Sequence, residues 1–153
     1  MKHQKIIILD FGSQYTQLIA RRLRELSVYS EILPYSASLE EVEAQDPVGI
    51  ILSGGPRSIS DSDAPRADSR LLELGVPVLG VCYGMQWMTD VLGGDVSHAH
   101  HREYGHVVIE LDQASSLFKK VPQRIQVWAS HGDAVTAPPP GFTVIATSEN
   151  APV

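Results

Sequence analysis

The chain of 153 residues has a single cysteine, Cys82. One thiol cannot close an internal disulfide, and zinc sites built from four cysteines are excluded by the count. Long apolar runs are also missing. The longest, Ile6 to Leu9, Val48 to Leu52 and Val76 to Val81, stop far short of the ~20 residues that a membrane helix requires. The opening residues carry two lysines and then run from a short apolar stretch straight into Asp10, which is not the pattern of a secretory signal. Cytoplasmic localisation is therefore expected, without a membrane partner. Basic residues are in deficit: 12 Lys and Arg stand against 18 Asp and Glu, for a net charge of −6. A surface for nonspecific polyanion binding is not expected, so nucleic acid is not an anticipated partner. The chain has no repeat, no low-complexity tract and no phosphate loop of the G-x-x-x-x-G-K-[ST] type.

What is present describes an ordinary globular chain, 43% hydrophobic and 20% charged. A chain this long buries roughly 70% of the surface that its unfolded form exposes, enough for a true core. Lys5 to Asp10 is a β-branched run of the kind found in strands buried on both faces, and Phe11-Gly12-Ser13 breaks it. Tyr15, Leu18, Ile19, Leu23 and Leu26 recur at helical spacing, with Tyr15, Leu18 and Leu23 assigned to the core. Val28 to Leu33 reads as a strand. Ser38 and Glu41 have the form of a capping box that opens a short helix. Val48 to Ser53 and Val76 to Val81 are two further strands. Residues 64–74 look helical, with Gly75 as a left-handed cap, and Met85 to Leu92 forms a helix stopped by Gly93-Gly94. Strand and helix in alternation imply an α/β fold: an open, mostly parallel sheet with helices on both faces and ligands beyond the carboxyl ends of the strands. After Gly94 the pattern changes. Tyr104 to Leu111, Gln123 to Trp128 and Phe142 to Thr147 read as an antiparallel extension of the same sheet.

The chemistry is concentrated in Gly80-Val81-Cys82-Tyr83-Gly84, a G-x-C-x-G segment at a strand-to-helix junction. This is the thiol form of the nucleophile elbow. So tight a turn holds the nucleophile in a strained backbone conformation and crowds the positions two before and two after it, which is why both are glycine. A thiol at the amino end of a helix is biased toward thiolate. The amide of Tyr83 would point to where an oxyanion forms. The alternative is a structural cysteine between two chance glycines. With 12 glycines in 153 residues, that coincidence has odds of roughly 0.6% before the strand-helix context is counted. Ser53-Gly54-Gly55-Pro56 ends the preceding strand at the same sheet edge, and its bare backbone offers a second oxyanion donor.

The segments DFGSQYTQLIARRLRE (Asp10 to Glu25), ILSGGP (Ile51 to Pro56), GVCYGMQ (Gly80 to Gln86), REYG (Arg102 to Gly105) and SHGD (Ser130 to Asp133) resemble the class I glutamine amidotransferases. The DFGSQYTQL opening and the SHGD segment resemble the amidotransferase domain of glutamine-dependent GMP synthetases in particular. The resemblance implies a flavodoxin-like fold in which Cys82 attacks the side-chain amide of glutamine. It also implies that Gly55 and Tyr83 donate the oxyanion amides and that Gln86, Ser130, His131, Gly132 and Asp133 help to hold glutamine. No cofactor is implied for this domain. ATP and magnesium belong to a synthetase domain, either downstream in the same chain or on a separate subunit, with a homodimer of the whole protein as a further expectation. Residues 1–153 are thus expected to be one amidotransferase domain, incomplete at its carboxyl end, with the base and its orienting carboxylate in an H-x-E motif beyond Val153. Arg57 stands where an acidic residue is expected after Gly-Gly-Pro.

Three competing readings follow from the residues. Spacing alone nominates His131 as a base with Asp133 behind it, whereas the resemblance assigns that segment to glutamine binding. His98, His100 and His101 suggest a metal site, but nothing completes the ligand set, so no metal is expected. The fold could also serve another amidotransferase pathway, such as anthranilate or carbamoyl phosphate synthesis, or act as a noncatalytic docking module.

Overall fold

A computed structural model describes residues 4–112 and 114–153, with the side chains of residues 99–103 outside that description. The chain divides into two units, Met1–Met88 and Thr89–Val153.

The first unit is built on strand β1 (Lys5–Asp10), whose Ile7, Ile8 and Leu9 are wholly buried. Four strands lie parallel in the order β2-β1-β3-β4, with β2 at Tyr29–Pro34, β3 at Gly49–Leu52 and β4 at Val78–Gly80. Successive side chains on a strand point to opposite faces. Ile8 and Ile51 pack with Ala20 of helix α1 (Thr16–Glu25) on one face. Leu52, next along β3, meets Gly84 of helix α3 (Tyr83–Val91) on the other. Helices on both faces are why Ile6 to Leu9 of β1 and Ile50 to Leu52 of β3 can be apolar at successive positions, as their sequences suggested. Register puts Leu9 beside Leu52 and Leu52 beside Gly80, so three strands end together at one edge.

Local signals hold in several places. Ser38 and Glu41 make both bonds of the capping box at the start of α2 (Leu39–Glu43), at 3.2 and 2.8 Å. Gly75 takes the left-handed conformation, φ +73°. Two expectations fail. Tyr15 and Leu18 are 56% and 45% exposed, because α1 approaches the sheet through the small residues Thr16 and Ala20, which form its buried stripe. Residues 64–74 do not form one helix. A one-turn 3-10 helix covers Ser69–Glu73, started by the Asp68 carboxylate, which accepts from the Arg70 amide at 3.0 Å. Pro65 just upstream supplies no amide proton for an earlier turn.

The second unit is an antiparallel sheet in the order β6-β5-β7, with β5 at Asp95–Leu111, β6 at Arg124–Ala137 and β7 at Ala146–Thr147. The antiparallel strands were expected, but they pair in a sheet of their own instead of hydrogen-bonding to the parallel one. A register shift between His98 and Glu103 interrupts the β5–β6 ladder. Gly94 is fitted closely into this unit, since a β-carbon there would lie 2.7 Å from the Ala137 carbonyl oxygen. Among the described residues no helix is long and apolar enough to cross a membrane.

Candidate active site

Cys82 has φ +49°, one of four non-glycine residues described in the left-handed region. An L-residue there carries a steric cost of about 1–2 kcal/mol, which the surrounding packing must hold. That packing accounts for both flanking glycines. A β-carbon on Gly84 would lie 2.5 Å from the carbonyl oxygen of Leu52, and one on Gly80 would lie 2.6 Å from Cα of Met85. No real β-carbon contact is so short, so helix α3 can leave β4 at this angle only with glycine at both positions. The Val81 amide bonds Leu52 O at 2.9 Å and the Gly84 amide bonds Ser53 O at 3.0 Å, which ties the elbow to the end of β3. Cys82 itself is half-buried, placed at the first turn of α3, whose open amides favour negative charge.

The loop Ser53-Gly54-Gly55-Pro56 lies against this elbow, as expected. A β-carbon on Gly54 would sit 3.5 Å from Cβ of Cys82 and 3.6 Å from Oγ of Ser13. One on Gly55 would strike the carbonyl oxygen of Phe11 at 2.7 Å and approach Cγ of Tyr83 at 3.4 Å. The Phe11-Gly12-Ser13 loop that follows β1 therefore lies beside the elbow as well. Phe11 donates its amide to Ser53 Oγ at 2.9 Å and is buried against Tyr35, Tyr83 and Trp87, with ring centroids 5.7, 5.3 and 5.9 Å away. Asp10 holds that loop by accepting from the Gly12 amide at 2.9 Å and from Thr16 Oγ1 at 2.8 Å. Phe11 and Ser13 lie in the DFGSQYTQL segment quoted above, but no site role was read from them. The signal that could have found them is their place immediately after β1, at the edge where β3 and β4 also end. Gln86 is buried one turn along α3 from Cys82.

Arg57, where a carboxylate was expected, is paired with Asp61, Nε to Oδ2 3.4 Å, and with Asp63. The loop after Gly-Gly-Pro supplies its own acids.

The remaining predicted residues, Ser130, His131, Gly132 and Asp133, lie on β6 in the second unit. Asp133 is buried, and its carboxylate meets Nδ1 of His98 at 2.5 Å. Nδ1 of His131 lies 3.1 Å from the backbone carbonyl oxygen of Asp133. The metal reading of His98, His100 and His101 falls partly outside the described side chains, as do Arg102 and the triplet His101-Arg102-Glu103, which has the letters of an H-x-E motif within β5. Among the described residues no group of three or more His, Cys, Asp or Glu could hold a metal ion.

A family model for glutamine amidotransferase class-I matches residues 7–153. The chain is 55% identical over 152 residues to a GMP synthase [glutamine-hydrolyzing] of Campylobacter lari and 52% identical to that of Bacillus cereus. In both cases the match covers 99% of this chain, which spans 30% of the relative's length. Among solved structures, a candidate GMP synthase subunit from Thermoplasma acidophilum aligns with TM-score 0.86 at 30% identity, over 99% of this chain and 76% of that one. A Thermotoga maritima glutamine amidotransferase shares the fold, with TM-score 0.77 at 23% identity, over 99% and 70% of the two chains. The parallel sheet with helices on both faces agrees with these likenesses, and the chain belongs to the class-I glutamine amidotransferase family.

Proposed function

We propose that this chain hydrolyses glutamine to glutamate and ammonia, and that a synthetase domain of a GMP synthase consumes the ammonia in the ATP-dependent amination of xanthosine monophosphate. The observation that carries the catalytic half is Cys82, held at φ +49° between two glycines whose positions admit no β-carbon. The assignment to GMP synthesis is supported by the two relatives of that name, at 55% and 52% identity across nearly the whole chain.

The reaction proceeds by nucleophilic catalysis. The Cys82 thiolate adds to the carboxamide carbon of glutamine, and the carbonyl π electrons move onto oxygen. The amides of Gly55 and Tyr83 receive that oxyanion. When it collapses, the C–N bond breaks, and the nitrogen takes a proton and leaves as ammonia. The glutamyl thioester then adds water, and the C–S bond breaks to give glutamate and the thiol. Preorganised donors of this kind are typically worth 10²–10³ in rate each. In our reading a histidine oriented by a carboxylate is the base that moves these protons. Gln86, buried one turn along α3 from Cys82, helps to hold the substrate. ATP and magnesium act in the synthetase domain, and the protein works in the cytoplasm.

Cys82→Ala in the full-length protein tests this. Glutamine-dependent GMP formation should fall by at least ~10⁴, as loss of a covalent nucleophile does, while formation from added ammonium continues at the wild-type rate. Loss of both activities together, or retention of both, would contradict it.

A further inference from the structure

The side chain after the nucleophile is not needed for the elbow itself, since the chemistry asked of position 83 is carried by its backbone amide. Yet Tyr83 is among the largest fully buried side chains described in the molecule. Its hydroxyl donates to the carbonyl oxygen of Pro65 at 2.7 Å, 18 residues upstream. Its ring leans on Phe11, with centroids 5.3 Å apart at 46°. Gly55 lies between those two residues: a β-carbon built on it would meet Phe11 O at 2.7 Å and Tyr83 Cγ at 3.4 Å.

We propose that the Tyr83 side chain is a positioning residue for the oxyanion site, fixing the Gly55 backbone at the right distance from Tyr83's own amide. This rests on the reading of Cys82 as the nucleophile for glutamine. One residue then sets both donors: its N–H is the first, and its ring is the wall against which the second is seated. The hydroxyl bond to Pro65 completes the arrangement. Residues 57–68, which leave Gly55-Pro56, have no regular secondary structure. They are tied across their middle by the pairs of Arg57 with Asp61 and Asp63 and at their far end by Tyr83. A ring held at both edge and face cannot rotate away from Gly55. Donors that must wait in place for charge to develop gain from such rigidity, because reorganisation during the reaction weakens them.

The test separates the oxyanion from the thiol. Displacement of iodide from iodoacetamide by the Cys82 thiolate is a substitution at saturated carbon and builds no oxyanion, whereas attack on glutamine does. In the full-length protein Tyr83→Phe should lower kcat for glutamine about 10-fold and Tyr83→Leu about 100-fold, fractions of the loss of a whole donor, with KM changed less than about twofold. The rate of Cys82 carbamidomethylation, followed by mass spectrometry of its peptide, should stay within about twofold of wild type. Tyr83→Phe keeps the ring and its packing, so it carries the test even if Tyr83→Leu does not fold. Unchanged kcat in Tyr83→Phe, or alkylation falling in parallel with turnover, would overturn the proposal. A wild-type protein that alkylates at Cys82 yet releases no glutamate from glutamine would instead remove the amidotransferase reading, and this one with it.

Discussion

Two glycines of the first unit answer to different physics. Gly84 has no room, because its absent β-carbon would lie 2.5 Å from backbone oxygen Leu52 O and 2.6 Å from Leu52 Cβ. Gly75 has open space around it and needs only a backbone that tolerates φ +73°. Gly84→Ala must push α3 away from β3, at a cost of about 1–3 kcal/mol for overpacking, and it carries Cys82 with it. Gly75→Ala costs about 1 kcal/mol of left-handed strain, with no atom within reach of the added β-carbon. The expected outcome is a lower denaturation midpoint in both variants and loss of glutamine turnover in Gly84→Ala alone. Equal activity in the two would mean that the elbow tolerates displacement. At this scale the site was legible because steric exclusion writes glycine into the sequence at fixed offsets from the nucleophile. The place of Phe11 and Ser13 beside it was not, although both stand in the DFGSQYTQL segment, because what brings them there is the alignment of three strand ends, and no spacing within one segment encodes that.

Elements were legible where a local bond defines them and obscure where a neighbour does. The capping box of α2 depends on Ser38 and Glu41 alone, and it stands as read. Helix α1 was found, and Leu23 of its expected core stripe does pack against the sheet core, but Tyr15 and Leu18 do not, because Thr16 and Ala20 take the buried positions. Large apolar residues mark a periodicity, while the side that packs is decided by how closely the partner approaches. The β1–β2 edge offers a titration test. Lys5 Nζ lies 2.9 Å from Glu31 Oε1, and Tyr29 donates its hydroxyl to the same oxygen at 3.0 Å. Those bonds, Lys5 first and Tyr29 second, hold the Glu31 carboxyl below its ordinary 4.5. A depressed carboxyl stabilises the fold above its unfolded pKa, and that contribution disappears as pH falls through the folded value. The pair is partly exposed, so its effect on stability is small. Lys5→Met should move the Glu31 midpoint upward toward 4.5 in an NMR titration of its side-chain carboxyl. An unmoved midpoint would exclude Lys5 as the main cause.

For the whole molecule, alternating strands and helices through α3 identified the parallel sheet, since each crossover is a local event of one strand, one helix and one return. The later strands were recognised as antiparallel but assigned to that same sheet. Alternation along a strand reports two faces and says nothing of which edge it pairs with, and β5, β6 and β7 close on one another. The same limit applies to Ser130 to Asp133. Their residue types suggested both a base and a substrate clamp, and the geometry turns the Asp133 carboxylate toward His98 on the paired strand. The central claim, that Cys82 attacks the glutamine carboxamide, is tested most directly by treating the full-length protein with an electrophilic glutamine analogue and mapping the adduct by peptide mass spectrometry. The expected result is one adduct per chain, on Cys82, suppressed by excess glutamine. An adduct spread over other side chains with Cys82 unmodified, or labelling of Cys82 that glutamine does not slow, would contradict it.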